Sequence, residues 1–290
     1  MKIRPNFFIV GTPKAGTTSL YHYLEEHPDI YMSPIKETNF FSYKDIKSQG
    51  LFYGEEHVRC IEDYKNQFTG VRGEKAIGEA SVSYLYYQGV AEKIKKFNPD
   101  AKIIIVLREP VSRGYSHYLM DKKLGLVNLS YSDIVNRSIV HNNMDLYYQQ
   151  YVGLGFYYEQ IKRYLNVFGE DKVKIFLFED LTSDLPNVMK GIYKFLGVSQ
   201  EFKAKTEVSH NSYVQPKNKF IGRLYGNRIL RKFLKQIVGE KTEYIKSLIL
   251  KKGKKPDLSE DLKLNLKLLY SENLTKTSKL INKDLSKWLE

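Results

Sequence analysis

The richest concentration of chemically capable residues is the decapeptide GTPKAGTTSL, Gly11 to Leu20. Two glycines, a lysine and several hydroxyl side chains lie between an apolar run, Phe7 to Val10, and a segment in which Leu20, Tyr21 and Leu24 recur at helical spacing. A strand feeding a glycine-rich loop that opens a helix aims free N–H groups and the positive dipole end at one small volume, which suits phosphate or sulfate. The plain alternative is a strand-to-helix turn with no ligand, since a lone glycine-rich loop is a weak signal.

The loop departs from the common triphosphate loop, in which a lysine directly follows the last glycine and a Ser or Thr beside it holds magnesium. Here Thr17 follows Gly16, and the lysine is mid-loop at Lys14. From there it can lean over an anion and touch a bridging or leaving oxygen, with Thr17 and Thr18 offering hydroxyls and N–H groups to a terminal phosphate.

A second candidate is LREPVSRGYSHYLM. Ile103 to Leu107 reads as a strand buried on both faces, Arg108 ends it, and Pro110 stands at a first helical position. Arg108 and Ser116, two turns into that helix, form a fork plus a hydroxyl at the carboxyl end of a central strand, good chemistry for a second phosphate. The alternative is an arginine paired with Glu109 or another acid. A third is Glu37, beside Lys36 and ahead of Phe40-Phe41 in the non-helical stretch His27 to Ser42. A loop carboxylate there is a candidate general base; residue types alone favour a surface salt bridge with Lys36.

The elements that must position these groups alternate strand and helix: Ala76 to Ala80 ending in a loop at Gly78-Glu79-Ala80-Ser81, a helix over Val90 to Phe97, the strand and helix around Arg108, a helix from Tyr157 stopped at Gly169, a strand Val173 to Phe178 and a helix Leu185 to Leu196. That alternation predicts an α/β fold, a central parallel sheet flanked by helices. Past Val198 strands are expected to stop. His210 to Phe220 reads as a polar loop carrying Lys217 and Lys219, Lys251 to Lys255 as a basic turn, and Leu258 to Leu289 as one or two closing helices anchored by Trp288 as a packing residue. The organisation is one domain over residues 1–290, an α/β core over 1–202 with a basic, mainly helical extension over 203–290.

The net charge of +13 lies almost wholly in residues 203–290, with 21 basic against 9 acidic side chains. Such a part could meet an anionic polymer, nucleic acid or a membrane surface, or be a solvated lysine-rich face. A single cysteine, Cys60, excludes an intrachain disulfide and a Cys-rich metal site. No charged-then-apolar leader and no membrane-length apolar run is present, so a soluble cytoplasmic protein without a transmembrane segment is the expectation.

With both phosphate signals in order, the chain resembles the sulfotransferases that use 3′-phosphoadenosine-5′-phosphosulfate (PAPS), in the branch that includes heparan-sulfate and many bacterial enzymes. The likeness runs through GTPKAGTTSL, KETNFF, LREPVSRGYSHY, GFYYEQIKRYLNVFG with its following strand, and the closing LSKWL. It implies a P-loop-like three-layer fold, PAPS as donor, 3′-phosphoadenosine-5′-phosphate (PAP) as product and no required metal. It implies that Lys14 contacts the bridging oxygen and stabilises the leaving phosphate. It places Ala15, Gly16, Thr17, Thr18 and Ser19 around the 5′-phosphate, and Arg108 and Ser116 on the 3′-phosphate. It makes Glu37 the base, overturning the salt-bridge reading. The acceptor it implies is a hydroxyl or amine of a carbohydrate, a glycan or glycolipid, rather than nucleic acid; oligomeric state stays open.

Such enzymes carry a lysine where this chain has Gly78 to Ser81, and Lys75 is a poor substitute; Glu79 is a candidate to assist the base or contact the acceptor. They also close over the cofactor with a basic, glycine-containing loop, for which Lys217 to Lys219 is the nearest candidate although it lacks the glycine. His22 and His27 read as structural. The competing readings are a P-loop kinase or nucleotide triphosphatase, which would need the lysine that Thr17 replaces, and a non-catalytic polyanion-binding protein acting through the basic third. The 23 tyrosines could line a sugar site or simply pack.

Overall fold

A computed structural model describes residues 4–50, 58–204, 214–217, 250–253 and 255–290. In chain order the elements are β1 (Phe7–Gly11), α1 (Thr17–Glu25), β2 (Ile30–Met32), α2 (Tyr43–Ser48), α3 (Ile61–Asn66), β3 (Ala76–Ala80), α4 (Val90–Phe97), β4 (Lys102–Leu107) and α5 (Pro110–Lys123). Then come α6 (Tyr131–Asn136), α7 (Met144–Tyr151), α8 (Tyr157–Phe168), β5 (Val173–Leu177), α9 (Phe178–Ser183), α10 (Leu185–Leu196), β6 (Val214–Pro216), β7 (Leu250–Lys252) and a closing helix, Glu260–Ile281.

The first five strands form one sheet in the order β2-β3-β1-β4-β5, every neighbouring pair parallel. Strand periodicity of two sends alternate side chains to opposite faces. Phe8, Val10, Ile103, Ile105 and Leu107 join a core with Ile94 of α4, Ile161 and Tyr164 of α8, and Leu266 and Tyr270 of the closing helix. Phe7, Ile9, Ile104 and Val106 join a second core with Leu20 and Leu24 of α1 and Ile192 and Leu196 of α10. The expected three layers are present. Deleting Phe8, which has no exposed surface, would cost ~3–5 kcal/mol.

The carboxyl ends of β3, β1 and β4 lie side by side, with β1 in the middle. The three loops that leave those ends carry Lys14, Ser81 and Arg108, so the sheet gathers residues far apart in sequence.

Three local expectations are corrected. Strands do not stop at Val198: β6 and β7 pair antiparallel, Val214 opposite Lys252 and Pro216 opposite Leu250. This pairing claims part of the supposed basic turn; Lys219 and the expected helix from Phe220 lie outside the described residues. The stretch from His27 contains β2, whose three residues give too short a run to show alternation. Phe178 opens α9 rather than ending β5. The packing role of Trp288 holds, with its ring 6.3 Å from that of Tyr157.

Candidate active site

After Gly11 the chain is pinned to the neighbouring strand, Thr12 N–H donating to the Val106 carbonyl at 2.8 Å. The loop ends at Gly16, whose φ of +83° suits glycine; a Cβ there would lie 3.0 Å from Phe178 Cδ2. Gly16 is also the N-cap of α1, and no side chain caps that helix. The N–H groups of its first turn are therefore open to an external anion. Thr17 is buried, while Thr18 and Ser19 are half-buried, so the accessible hydroxyls are those of Thr18 and Ser19.

Lys14 holds a left-handed backbone, φ +69°, uncommon for a residue with a side chain. Its ammonium reaches across to α5 and donates to Met120 Sδ at 3.4 Å. Burial lowers its pKa to about 8, helped by the charges of Lys123, Arg108 and Lys36 and opposed by Asp121. The loop lysine is thus a cation assembled among other cations, costly to hold without a counter-anion.

Arg108 donates from Nη1 to the Lys14 carbonyl at 2.8 Å and lies over the Phe178 ring at 4.4 Å. Tyr157 hydroxyl donates to the Arg108 carbonyl at 2.7 Å, fixing the strand end from below. Burial pushes the guanidinium pKa down, and the carboxylates of Glu179 and Glu109 pull against it. Glu109 does not pair with Arg108 as one reading allowed. It caps α5, its two oxygens accepting from Val111 and Ser112 N–H at 2.7 and 2.6 Å. Ser116 is half-buried on α5, one turn before Met120 and on the same face.

Glu37 sits across the site beside the end of β3. Its N–H donates to the Ala80 carbonyl and its Oε2 accepts from Val82 N–H, both at 2.8 Å, while Lys36 pairs with Oε1. The pair is partly buried, with side-chain exposures of 19% for Lys36 and 31% for Glu37. Glu37 and Asn39 are both left-handed, φ +63° and +51°. Since Lys36 pairs with Glu37 and also acts electrostatically on Lys14, the glutamate loop and the glycine-rich loop face one another.

Glu79 has no exposed surface. Its Oε1 accepts from Thr38 and Ser81 hydroxyls at 2.5 and 2.6 Å, and its Oε2 from Tyr64 at 2.8 Å. The expectation that it contacts the acceptor is therefore corrected: it lies beneath the glutamate loop. Burial pushes its pKa up and the hydroxyl donors pull it down.

Lys217 is exposed just beyond β6, and Lys219 lies outside the described residues. Within the basic, glycine-containing stretch Lys251 to Lys255, the residue with described contacts at the start of α5 is Lys255. Lys255 lies 4.9 Å from the Tyr115 ring and feels the charges of Arg108 and Glu109, with burial pushing its pKa down. With Ser112, Lys263, Lys267 and Lys287 it lines a cleft of about 320 Å³. The order K-K-G-K-K was visible in the sequence; its seat at the start of α5 was not. Lys123, whose charge acts on Lys14, gave no motif at all.

Tyr115, Tyr118 and Tyr131 line a cleft of about 540 Å³ beside α5, while many tyrosine hydroxyls tie segments together. The hydroxyls of Tyr21, Tyr31, Tyr118, Tyr164 and Tyr270 donate to backbone carbonyls of other segments. His27 is structural as expected, accepting from Asp29 N–H and bridging to the Ser199 carbonyl. Among the described residues, no group of acidic, His or Cys side chains has the makings of a metal site, and no helix is long and apolar enough to cross a membrane.

The family model for the sulfotransferase domain matches residues 4–278. Mouse carbohydrate sulfotransferase 15 is 27% identical over 80% of this chain and 52% of its own length. Human bifunctional heparan sulfate N-deacetylase/N-sulfotransferase 3 is 25% identical over 98% of this chain and 31% of its own. The chain thus spans about half or less of the curated relatives it matches. The crystal structure of a sulfotransferase from Alicyclobacillus acidocaldarius superposes with a TM-score of 0.74 at 32% identity, covering 99% of this chain and 100% of that one. A match over residues 4–278, which takes in the glycine-rich loop, the glutamate loop, Arg108 with α5 and most of the closing helix, shows that the chain belongs to the sulfotransferase family.

Proposed function

We propose that this protein transfers a sulfuryl group from PAPS to a hydroxyl or amine of a carbohydrate acceptor. The observation that carries the reading is the cation cluster around an uncapped helix N-terminus: burial, reinforced by the charges of Lys123, Arg108 and Lys36, lowers the Lys14 pKa to about 8. Such a cluster suits a multiply anionic ligand. The donor supplies an activated sulfuryl group.

The residues divide the work. The first-turn N–H groups of α1, with Thr18 and Ser19, hold the 5′-phosphate end. Lys14 neutralises charge developing on the leaving phosphate oxygen. Arg108 and Ser116 hold the 3′-phosphate, and Lys255 covers that end. Glu37 accepts the acceptor's proton at its carboxylate. Orientation of acceptor against donor contributes the rest. A carbohydrate acceptor is supported by the relatives named for carbohydrate and heparan sulfate.

The test is calorimetric titration with PAP, AMP and magnesium-ATP, for wild type and Arg108→Ala. PAP is expected to bind and AMP to bind weakly. Loss of the charged fork should weaken PAP by about 10–100-fold and leave AMP unchanged. Preference for magnesium-ATP, or no response to PAP, would overturn the reading. A panel of neutral and carboxylated polysaccharides then identifies the acceptor, with Glu37→Gln as the inactive control.

A further inference from the structure

We infer that Glu79 is a positioning residue for Glu37, acting through Thr38 and Ser81 to hold the base loop in its left-handed conformation. The inference rests on the reading of Glu37 as the base.

Glu37, Thr38 and Asn39 form a loop that backbone preference alone would not produce, since Glu37 and Asn39 both have positive φ. What holds it is a lattice of hydrogen bonds to residues 79–84. Glu37 is fixed at both its N–H and its carboxylate, to Ala80 and Val82. Asn39 N–H donates to Ser81 Oγ at 3.0 Å, Ser83 donates to Asn39 Oδ1 at 2.6 Å, and Phe41 N–H donates to Tyr84 hydroxyl at 3.3 Å.

Glu79 is the shared acceptor of this lattice. One oxygen takes the hydroxyl of Thr38, inside the base loop, and the hydroxyl of Ser81, which in turn receives Asn39 N–H. A single atom therefore orients two hydroxyls that flank Glu37 from either side. The other oxygen takes Tyr64 of α3, which is fully buried and stacks on Phe40 at 4.4 Å. A carboxyl group that accepts three hydroxyl protons sets the direction of each of them. Apolar neighbours Phe41 and Phe68 exclude water from the cluster. No solvent molecule can substitute for a lost partner there, and a one-ångström displacement of a base costs rate steeply.

The two oxygens allow an internal control. Thr38→Val removes the donor within the base loop at constant shape, Thr38→Ser restores it, and Tyr64→Phe removes a donor to the same carboxylate outside the loop. Hydrogen exchange at the amides of residues 37–42, PAP affinity, and release of PAP from PAPS with water or a polysaccharide as acceptor are measured on each. Thr38→Val is expected to speed exchange in that segment and lower turnover at least tenfold, with PAP affinity unchanged and Thr38→Ser within about threefold of wild type. Tyr64→Phe is expected to cost as much melting temperature but less than threefold in turnover. If Thr38→Val and Tyr64→Phe lose turnover in proportion to their loss of stability, or if Thr38→Val leaves loop exchange unchanged, Glu79 is only a core residue. Glu37→Gln in the same series separates the premises: an active Glu37→Gln overturns the base assignment, whereas an inactive one beside an active Thr38→Val overturns the positioning role alone.

Discussion

The two loops that face each other across the site reach similar conformations by different means. The glycine-rich loop carries Lys14 at φ +69° and Gly16 at φ +83°, and is held through its own backbone: Thr12 N–H on the Val106 carbonyl, and the Lys14 carbonyl on Arg108 Nη1. The glutamate loop carries Glu37 at φ +63° and Asn39 at φ +51° with no glycine, and is held by side chains from β3 and beyond. One loop leaves its left-handed turn through a glycine and is pinned to β4 and Arg108 through its backbone. The other is built by a buried cluster that exists only when the sheet has formed.

The largest effect that would test this contrast is at Lys14. Lys14→Met is expected to lower turnover by about 10²–10³-fold, the magnitude of a lost oxyanion contact, in a PAP-release assay. A loss comparable to that of an ordinary surface lysine would mean that the loop amides alone hold the leaving phosphate.

Next come the paired backbone variants. Gly16→Ala forces a side chain into a left-handed position against Phe178 and is expected to weaken PAP roughly tenfold through strain of about 1–2 kcal/mol. Asn39→Gly relaxes the backbone but deletes the bonds to Glu37 O and Ser83, and is expected to lower turnover roughly threefold to tenfold. A neutral Asn39→Gly would show that backbone preference, not the side-chain lattice, shapes the second loop, and the contrast would collapse.

A smaller effect concerns pH. Lys14 is held below the ordinary lysine value, at about 8, so the fold disfavours its charged form. PAP affinity should therefore fall as pH rises through about 8 in wild type, where the free ammonium loses its proton, and that component should be absent in Lys14→Met. Between about 8 and the ordinary lysine value, the unfolded chain binds the extra proton, so this residue's effect on stability becomes less unfavourable as pH rises. The smallest prediction follows from the same sign: Lys14→Met should melt about 2–4 °C higher than wild type at pH 7, a gain in stability at the expense of function.

Most of the core strands, α4, α5, α8 and α10 were legible because their signals are local. Continuous apolar runs mark β1 and β4, Pro110 opens α5, and Gly169 ends α8. Residues Val214 to Pro216 and Ile30 to Met32 were not, because three-residue strands have no period to read and take their conformation from a partner.

Within the candidate site the division follows the same physics. The spacing of Gly11, Lys14 and Gly16, and the placing of Arg108 eight residues before Ser116, are properties of the chain, because the loop geometry and the helix repeat translate spacing directly into direction. Charge at Lys255 and a carboxylate at Glu79 were equally visible as residue types. Their roles were not, because burial and partnership are set by segments distant in sequence. Lys255 meets Tyr115 and Arg108 only when the C-terminal part folds back on α5. Glu79 meets Thr38 and Tyr64 only when three segments converge behind β3. Sequence determined which groups could bind an anion or take a proton; the tertiary structure decided which of them face the site and which lie beneath it, since desolvation and hydrogen bonding are properties of the assembled surroundings.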